Sequence, residues 1–275
     1  MCSSDLISSI TSNVRMEKGG VFTLIGQTLG LEIGGAIGIP LYIAQGMSAA
    51  MYLHGMTEGW LSLYPAEYFA DSLIAQIVEW GLYESFMITI FFFFALGVTF
   101  ISTKVAFKVQ NIVMFFIIAA ITSMFLGLKI HEPQTPQLIG DFSGGNGFFV
   151  LFAVFFPAAT GVMVGASMSG SLKDPRKSIP KGTMSAWGIS LLVYAAVALI
   201  ASFLVPVNEL VNNTNALIDY ARWPLVVQLG LIASCFTATL SSLAAAPRVL
   251  QALGKHRLVP CGKPEPWTAQ RMRAG

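Results

Sequence analysis

Residues 148–183 read FFVLFAVFFPAATGVMVGASMSGSLKDPRKSIPKGT, and this stretch decides the fold. It closes a window, 142–172, that contains no Asp, Glu, Lys or Arg over 31 residues. A straight membrane-spanning helix needs only about 20 apolar residues. The apolar run reaches Pro157 and then passes Ala158, Ala159, Thr160 and Gly161. Proline lacks a backbone donor and disfavours helix at the residue before it. Glycine weakens a helix by about 1 kcal/mol relative to alanine. Two helical pieces, 147–157 and 163–170, are therefore expected, joined by a non-helical stretch around 158–161.

A break inside lipid leaves backbone groups unpaired, each at a cost of several kcal/mol. The first piece would end in carbonyls of negative dipole character, and the second would begin with N–H groups of positive character. The carbonyls suit a cation. The amides of Gly161, Val162 and Met163 suit an anion, without any fixed charge. A proline kink that only shapes packing is the alternative, and these residues alone do not separate the two.

Five further windows lack Asp, Glu, Lys and Arg: 33–57, 85–103, 109–128, 182–208 and 223–247. The chain as a whole is 55% hydrophobic and 11% charged, against about 25% charged in soluble domains. A charge at the bilayer centre costs about 2.5–3.5 kcal/mol, and the windows are what that penalty leaves. Soluble helices alternate polar and apolar faces, which these do not. The expectation is an all-α membrane protein with about six spans, at 33–57, 85–103, 109–128, 147–170, 182–206 and 225–247. Residues 1–32 would form an N-terminal segment, 33–247 the transmembrane domain and 248–275 a tail.

With the N-terminus in the cytoplasm, segments 1–32, 104–108, 173–181 and 248–275 are inside and hold 14 of the 16 Lys and Arg. The outside segments hold Lys129, Arg222 and 9 of the 14 acids. The positive-inside rule then puts both termini in the cytoplasm. No cleavable signal peptide is expected, since the first apolar window starts near residue 33. Three scattered cysteines make no disulfide framework, and Cys235 reads as a small packing residue. No soluble basic face points to nucleic acid.

Smaller features follow. Gly34 and Gly38 have small-xxx-small spacing, a helix-packing signal. The stretch 68–80 is amphipathic and suits the interface. A short basic loop around Lys104 and Lys108 would make spans two and three an antiparallel pair. Asn212-Asn213-Thr214 is a glycosylation sequon. Tyr52 could turn its hydroxyl to a cation or simply pack. Ser241 and Ser242 could supply oxygens to sodium or bond back to their own helix. His54 reads as a packed, hydrogen-bonded residue. Glu58 is a solvated rim acid or half of a gate. An intramembrane serine hydrolase built on Ser167 is disfavoured, because the one intramembrane histidine, His54, is on another helix; no enzyme is expected.

The segment FFPAATGVMVGASMSGSLKDPRKSIPKGT closely resembles the sixth helix and following loop of cation–chloride cotransporters, within the amino acid–polyamine–organocation superfamily. GGAIGIPLYIAQGMSAAMYLHGMTEG resembles their third helix, and TATLSS with APRVLQAL their eighth helix and the loop after it. The similarity runs from about residue 8 to 260. It implies a partial LeuT-type inverted-repeat bundle covering helices three to eight, with one helix discontinuous. Helix one, most of helix two and helices nine to twelve would be missing.

The resemblance implies a potassium site at Tyr52, Pro157 and Thr160 and a chloride site at Gly161, Val162 and Met163. It implies a sodium site at Ala238, Ser241 and Ser242. Three residues separate Ser242 from the Ala-Pro pair at 246–247, against seven in sodium-coupled relatives; anchoring on Ala-Pro selects Ser234, Thr237 and Ala238 instead. Glu58 matches an outer-gate acid whose arginine partner lies on helix one. The function implied is electroneutral symport of sodium and potassium with chloride by alternating access. The alternatives are an amino acid permease, with a substrate carboxylate on the 161–163 amides, or a non-transporting fragment. No cofactor is implied, and no metal beyond transported alkali cations. The partners implied are membrane lipid, these small ions and the missing helices, with a homodimer left open. The location implied is the plasma membrane.

Overall fold

The computed structural model describes residues 9, 20–65, 82–101, 103–130, 147–155, 174–213 and 215–256. Among these the regular structure is all helical. In chain order the helices are α1 (Gly20–Leu29), α2 (Leu31–Leu63), α3 (Tyr83–Ile101), α4 (Thr103–Gly127), α5 (Phe148–Phe155), α6 (Pro175–Leu204), α7 (Val207–Asn212), α8 (Ala216–Asp219) and α9 (Pro224–Lys255).

Five of these, α2, α3, α4, α6 and α9, are long and apolar enough to cross a membrane. They match five of the six expected spans. Of the sixth, only α5 is described. Residues 156–173 lie outside the described residues, and with them the expected break and Pro157, Thr160, Gly161, Val162, Met163 and Ser167. The amphipathic stretch 68–80, Thr214 of the sequon and the tail from 257 lie outside as well.

α2 is rich in glycine and has Pro40 in its interior, a poor helix by propensity in water. In lipid the balance reverses, because every backbone group must be satisfied within the segment. With 33 residues it is about 50 Å long, more than the ~30 Å hydrocarbon core. α9 and α6, at 32 and 30 residues, overrun it too. The overrunning ends carry the charges: Glu58 on α2, Arg248 and Lys255 on α9, Lys177 and Lys181 on α6.

Two expectations need correction. Lys104 and Lys108 stand in the first turns of α4 instead of a loop, since only residue 102 separates α3 from α4. No proline or glycine occurs there to break the helix. Likewise APRVLQAL does not leave the helix, for α9 runs through Pro247 to Lys255.

α2 and α9 form the spine. Gly38 meets Leu253, Gly55 meets the Cys235 sulfur and Gly59 meets Ile232, while Gln228 donates its side-chain amide to the Gly59 carbonyl at 3.3 Å. These pairs fix an antiparallel register. The Cys235 contact agrees with its reading as a packing residue. α1 doubles back along α2, with Gly26 against Gly34 and Phe22 against Gly38. Gly30 permits the reversal at φ 95°, a conformation that favours glycine. Gly34 and Gly38 thus serve close packing, and Phe22 is buried with Val249, Ala252 and Leu253.

α4 lies along α9, with Gly230 against Ala120. The Ser123 hydroxyl donates to the Trp223 carbonyl at 3.3 Å and accepts from the Trp223 amide at 2.9 Å. A core of Ala120, Met124, Ile200, Leu204, Val205, Ala216, Ala221 and Val227 joins α4, α6, α8 and α9 at this end. One end of the bundle therefore gathers Glu58, Glu84, Glu209 and Asp219, and the other Lys177, Lys181, Arg248 and Lys255. Outward faces stay apolar, Phe149 being 82% exposed, as suits surface covered by lipid or by further helices.

Gly127 ends α4 against the backbone of the connection that follows α8. A Cβ there would lie 2.6 Å from the Tyr220 carbonyl oxygen. Gly127→Ala is expected to destabilise the protein by about 1–3 kcal/mol through overpacking. Gly97→Ala, where the added carbon meets open space inside α3, should leave stability unchanged or raise it by up to about 1 kcal/mol. Thermal unfolding of both variants in detergent would test this, and equal midpoints would refute it.

Candidate ion-binding site

The α2–α9 seam is the described part of the expected ion-binding region. Tyr52 stands half-buried on α2, while Ala238 and Ser241 are half-buried and Ser242 is 3% exposed on α9. The antiparallel register runs from Gly38–Leu253 to Gly59–Ile232. Interpolation sets Tyr52 level with Ala238 and Thr239, and Ser241 and Ser242 within about one turn, ~5 Å, in depth. One residue of the expected potassium set and the whole of the expected sodium set thus share a level.

The hydroxyls of α9 fall into two groups. Ser234 donates to the Leu231 carbonyl at 2.8 Å, Thr237 to Ser234 at 3.0 Å and to Ala233 at 3.3 Å, and Thr239 to Cys235 at 2.9 Å. These are the back-bonds usual for such residues in a membrane helix. Among the described residues, Ser241 and Ser242 make no such bond. Their oxygens keep their lone pairs for a cation, and their hydroxyl protons can turn away from it. The Ala-Pro anchor would instead choose Ser234 and Thr237, whose protons go to their own helix while their lone pairs stay available.

Glu58 lies about one and a half turns before the C-terminal end of α2, and its side chain is 64% exposed. One turn before it, His54 places Nε2 3.7 Å from a Glu58 oxygen and Nδ1 3.2 Å from a Glu84 oxygen on α3. His54 is 53% exposed, so its reading as a packed residue is overturned. The cause is position: at residue 54 the helix turns this side chain away from the α9 seam, which Leu53 and Met56 fill. Glu84 escaped the sequence reading, since nothing in a lone acid ahead of an apolar window marks a cross-helix partner. The rim is thus two carboxylates bridged by one imidazole. Trp60, near this rim, lies tilted against Tyr64 and edge-on to Phe91, and its buried Nε1 has no hydrogen-bond partner among the described residues.

Among the described residues, no group of three His, Cys, Asp or Glu could hold a metal ion. The arrangement offers neutral hydroxyl oxygens in a buried seam below an acidic rim. Such a site suits a monovalent cation, drawn by the rim field and held by dipoles.

The amino acid permease family model matches residues 2–273. Solute carrier family 12 member 2 of Squalus acanthias is 30% identical over 305 aligned residues, which cover 92% of this chain and 25% of the relative. Solute carrier family 12 member 1 of Homo sapiens is 28% identical, with 91% and 27% covered. Member 9 of Rattus norvegicus is 28% identical, with 92% and 32% covered. The chain therefore spans about a quarter to a third of these curated relatives, as the resemblance to cation–chloride cotransporters implies. On the family match and on its bundle of apolar helices, this chain belongs to the amino acid permease family as an integral, multi-pass membrane protein.

Proposed function

We propose that this chain is the helix-three-to-eight portion of a secondary transporter that moves sodium and potassium together with chloride. The observation that carries the proposal is the pair of uncommitted hydroxyls, Ser241 and Ser242, at the depth of Tyr52 in the α2–α9 seam. In this reading Tyr52, Pro157 and Thr160 hold potassium, Ala238, Ser241 and Ser242 hold sodium, and the amides of Gly161, Val162 and Met163 hold chloride. Glu58 gates the entrance, with His54 and Glu84 setting its field. Equal charge on co-transported cations and anions would leave the cycle electroneutral.

The proposed setting is the plasma membrane, with the basic ends and both termini cytoplasmic. A cysteine at position 135 should then label from outside and one at 175 only from inside; the reverse pattern would sink the orientation.

The family description keeps an amino acid permease as the second reading, with a substrate carboxylate on the 161–163 amides. Uptake by a full-length transporter carrying this segment separates the two. Rubidium uptake should require both sodium and chloride, and Gly161→Leu should block chloride binding by crowding the amides and so abolish that uptake. Amino acid uptake indifferent to chloride would favour the permease.

A further inference from the structure

The last two turns of α9 have two unlike faces. Val249, Ala252 and Leu253 are buried with Phe22, and the His256 ring tilts over Phe22 at 5.7 Å. The other face is an open groove of about 520 Å³ lined by Pro247, Leu250, Gln251, Gly254 and Lys255. Pro247 and Leu250 give it an apolar floor, while exposed Gln251 and Lys255 form a polar rim where α9 ends. Among the described residues, the charges at this end of α9 are Arg248 and Lys255, both positive.

We propose that this groove seats an anionic phospholipid of the adjoining leaflet. An acyl chain would lie on Pro247 and Leu250, and the headgroup phosphate would meet Gln251 and Lys255. The geometry matches a lipid better than a small anion, because the floor is apolar and the cationic rim sits at one end only. Basic clusters next to a membrane helix attract anionic lipid. The helix dipole opposes an anion at a C-terminus, but Lys255 stands in that last turn and Arg248 lies about two turns before it. The role is independent of which ions the protein carries.

Native mass spectrometry of the 275-residue chain, released from an uncharged detergent with equimolar phosphatidylserine and phosphatidylcholine, tests this. Phosphatidylserine should be retained about fivefold over phosphatidylcholine for each basic residue engaged. Lys255→Gln should reduce that preference by about fivefold, and Gln251→Glu should lower it by setting a like charge in the rim. Both positions are exposed, and a monodisperse elution profile would verify the fold. Lys129→Gln, at the opposite end of the bundle, should keep the preference. Equal retention of the two lipids by the unaltered chain, or an undiminished preference in both rim variants, would overturn the proposal. So would displacement of the lipid by inorganic phosphate, which would mark a free-anion site.

Discussion

Liposomes carrying the 275-residue chain by itself are expected to take up rubidium no faster than protein-free liposomes. A dehydrated alkali cation needs its lost water oxygens replaced by protein oxygens, since burying an uncompensated charge is prohibitive. The described seam offers the Tyr52, Ser241 and Ser242 hydroxyls, and the proposed site adds a few groups from 157–160. The resemblance implies that helix one would supply half of the ion sites. Alternating access also requires one repeat to rock against the other, and this chain covers only 25–32% of the relatives named above. The expected effect is therefore complete loss, whatever the ion gradients. Chloride-dependent rubidium uptake above the empty-liposome rate would show that six helices suffice and would overturn the reading of the chain as a part. A full-length transporter carrying this segment is the positive control, since it should restore uptake.

The spans were legible in the sequence because the cost of a charge in lipid writes itself directly as charge-free windows. Five of those windows coincide with long apolar helices. Their ends were less legible. A helix does not stop where the hydrocarbon stops, so α9 runs on through Pro247 to Lys255 and α4 takes in Lys104 and Lys108. Side-chain direction was legible only where small residues marked it: Gly34 and Gly38 read correctly as packing positions. His54 did not, because whether a histidine faces a seam or a rim depends on helix rotation, and rotation is set by neighbours the sequence does not name. The pairing of His54 with Glu84 crosses between two helices over 30 residues of chain, and no local pattern encodes it. The choice between two sodium anchors was likewise open in the sequence, and hydroxyl back-bonding, visible only in three dimensions, bears on it.

That choice gives the second large effect. In a full-length transporter carrying this segment, Ser241→Ala with Ser242→Ala is expected to weaken sodium activation by roughly 10²–10⁴, since each bond to a charged group contributes about 1.5–3 kcal/mol. The fold should survive, because neither hydroxyl bonds to a carbonyl among the described residues and alanine is the best helix former. Ser234→Ala with Thr237→Ala is the matched control. Those hydroxyls donate to Leu231, Ala233 and Ser234 within their own helix, and on the Ser241–Ser242 anchor their loss should leave sodium activation nearly unchanged. The readout is the sodium concentration for half-maximal rubidium uptake at fixed chloride. If the control pair shifts it and the Ser241–Ser242 pair does not, the Ala-Pro anchor is the right one and the site moves about one turn along α9. If neither pair shifts it, sodium is not bound on α9, and the uncommitted hydroxyls serve helix contacts within the complete bundle.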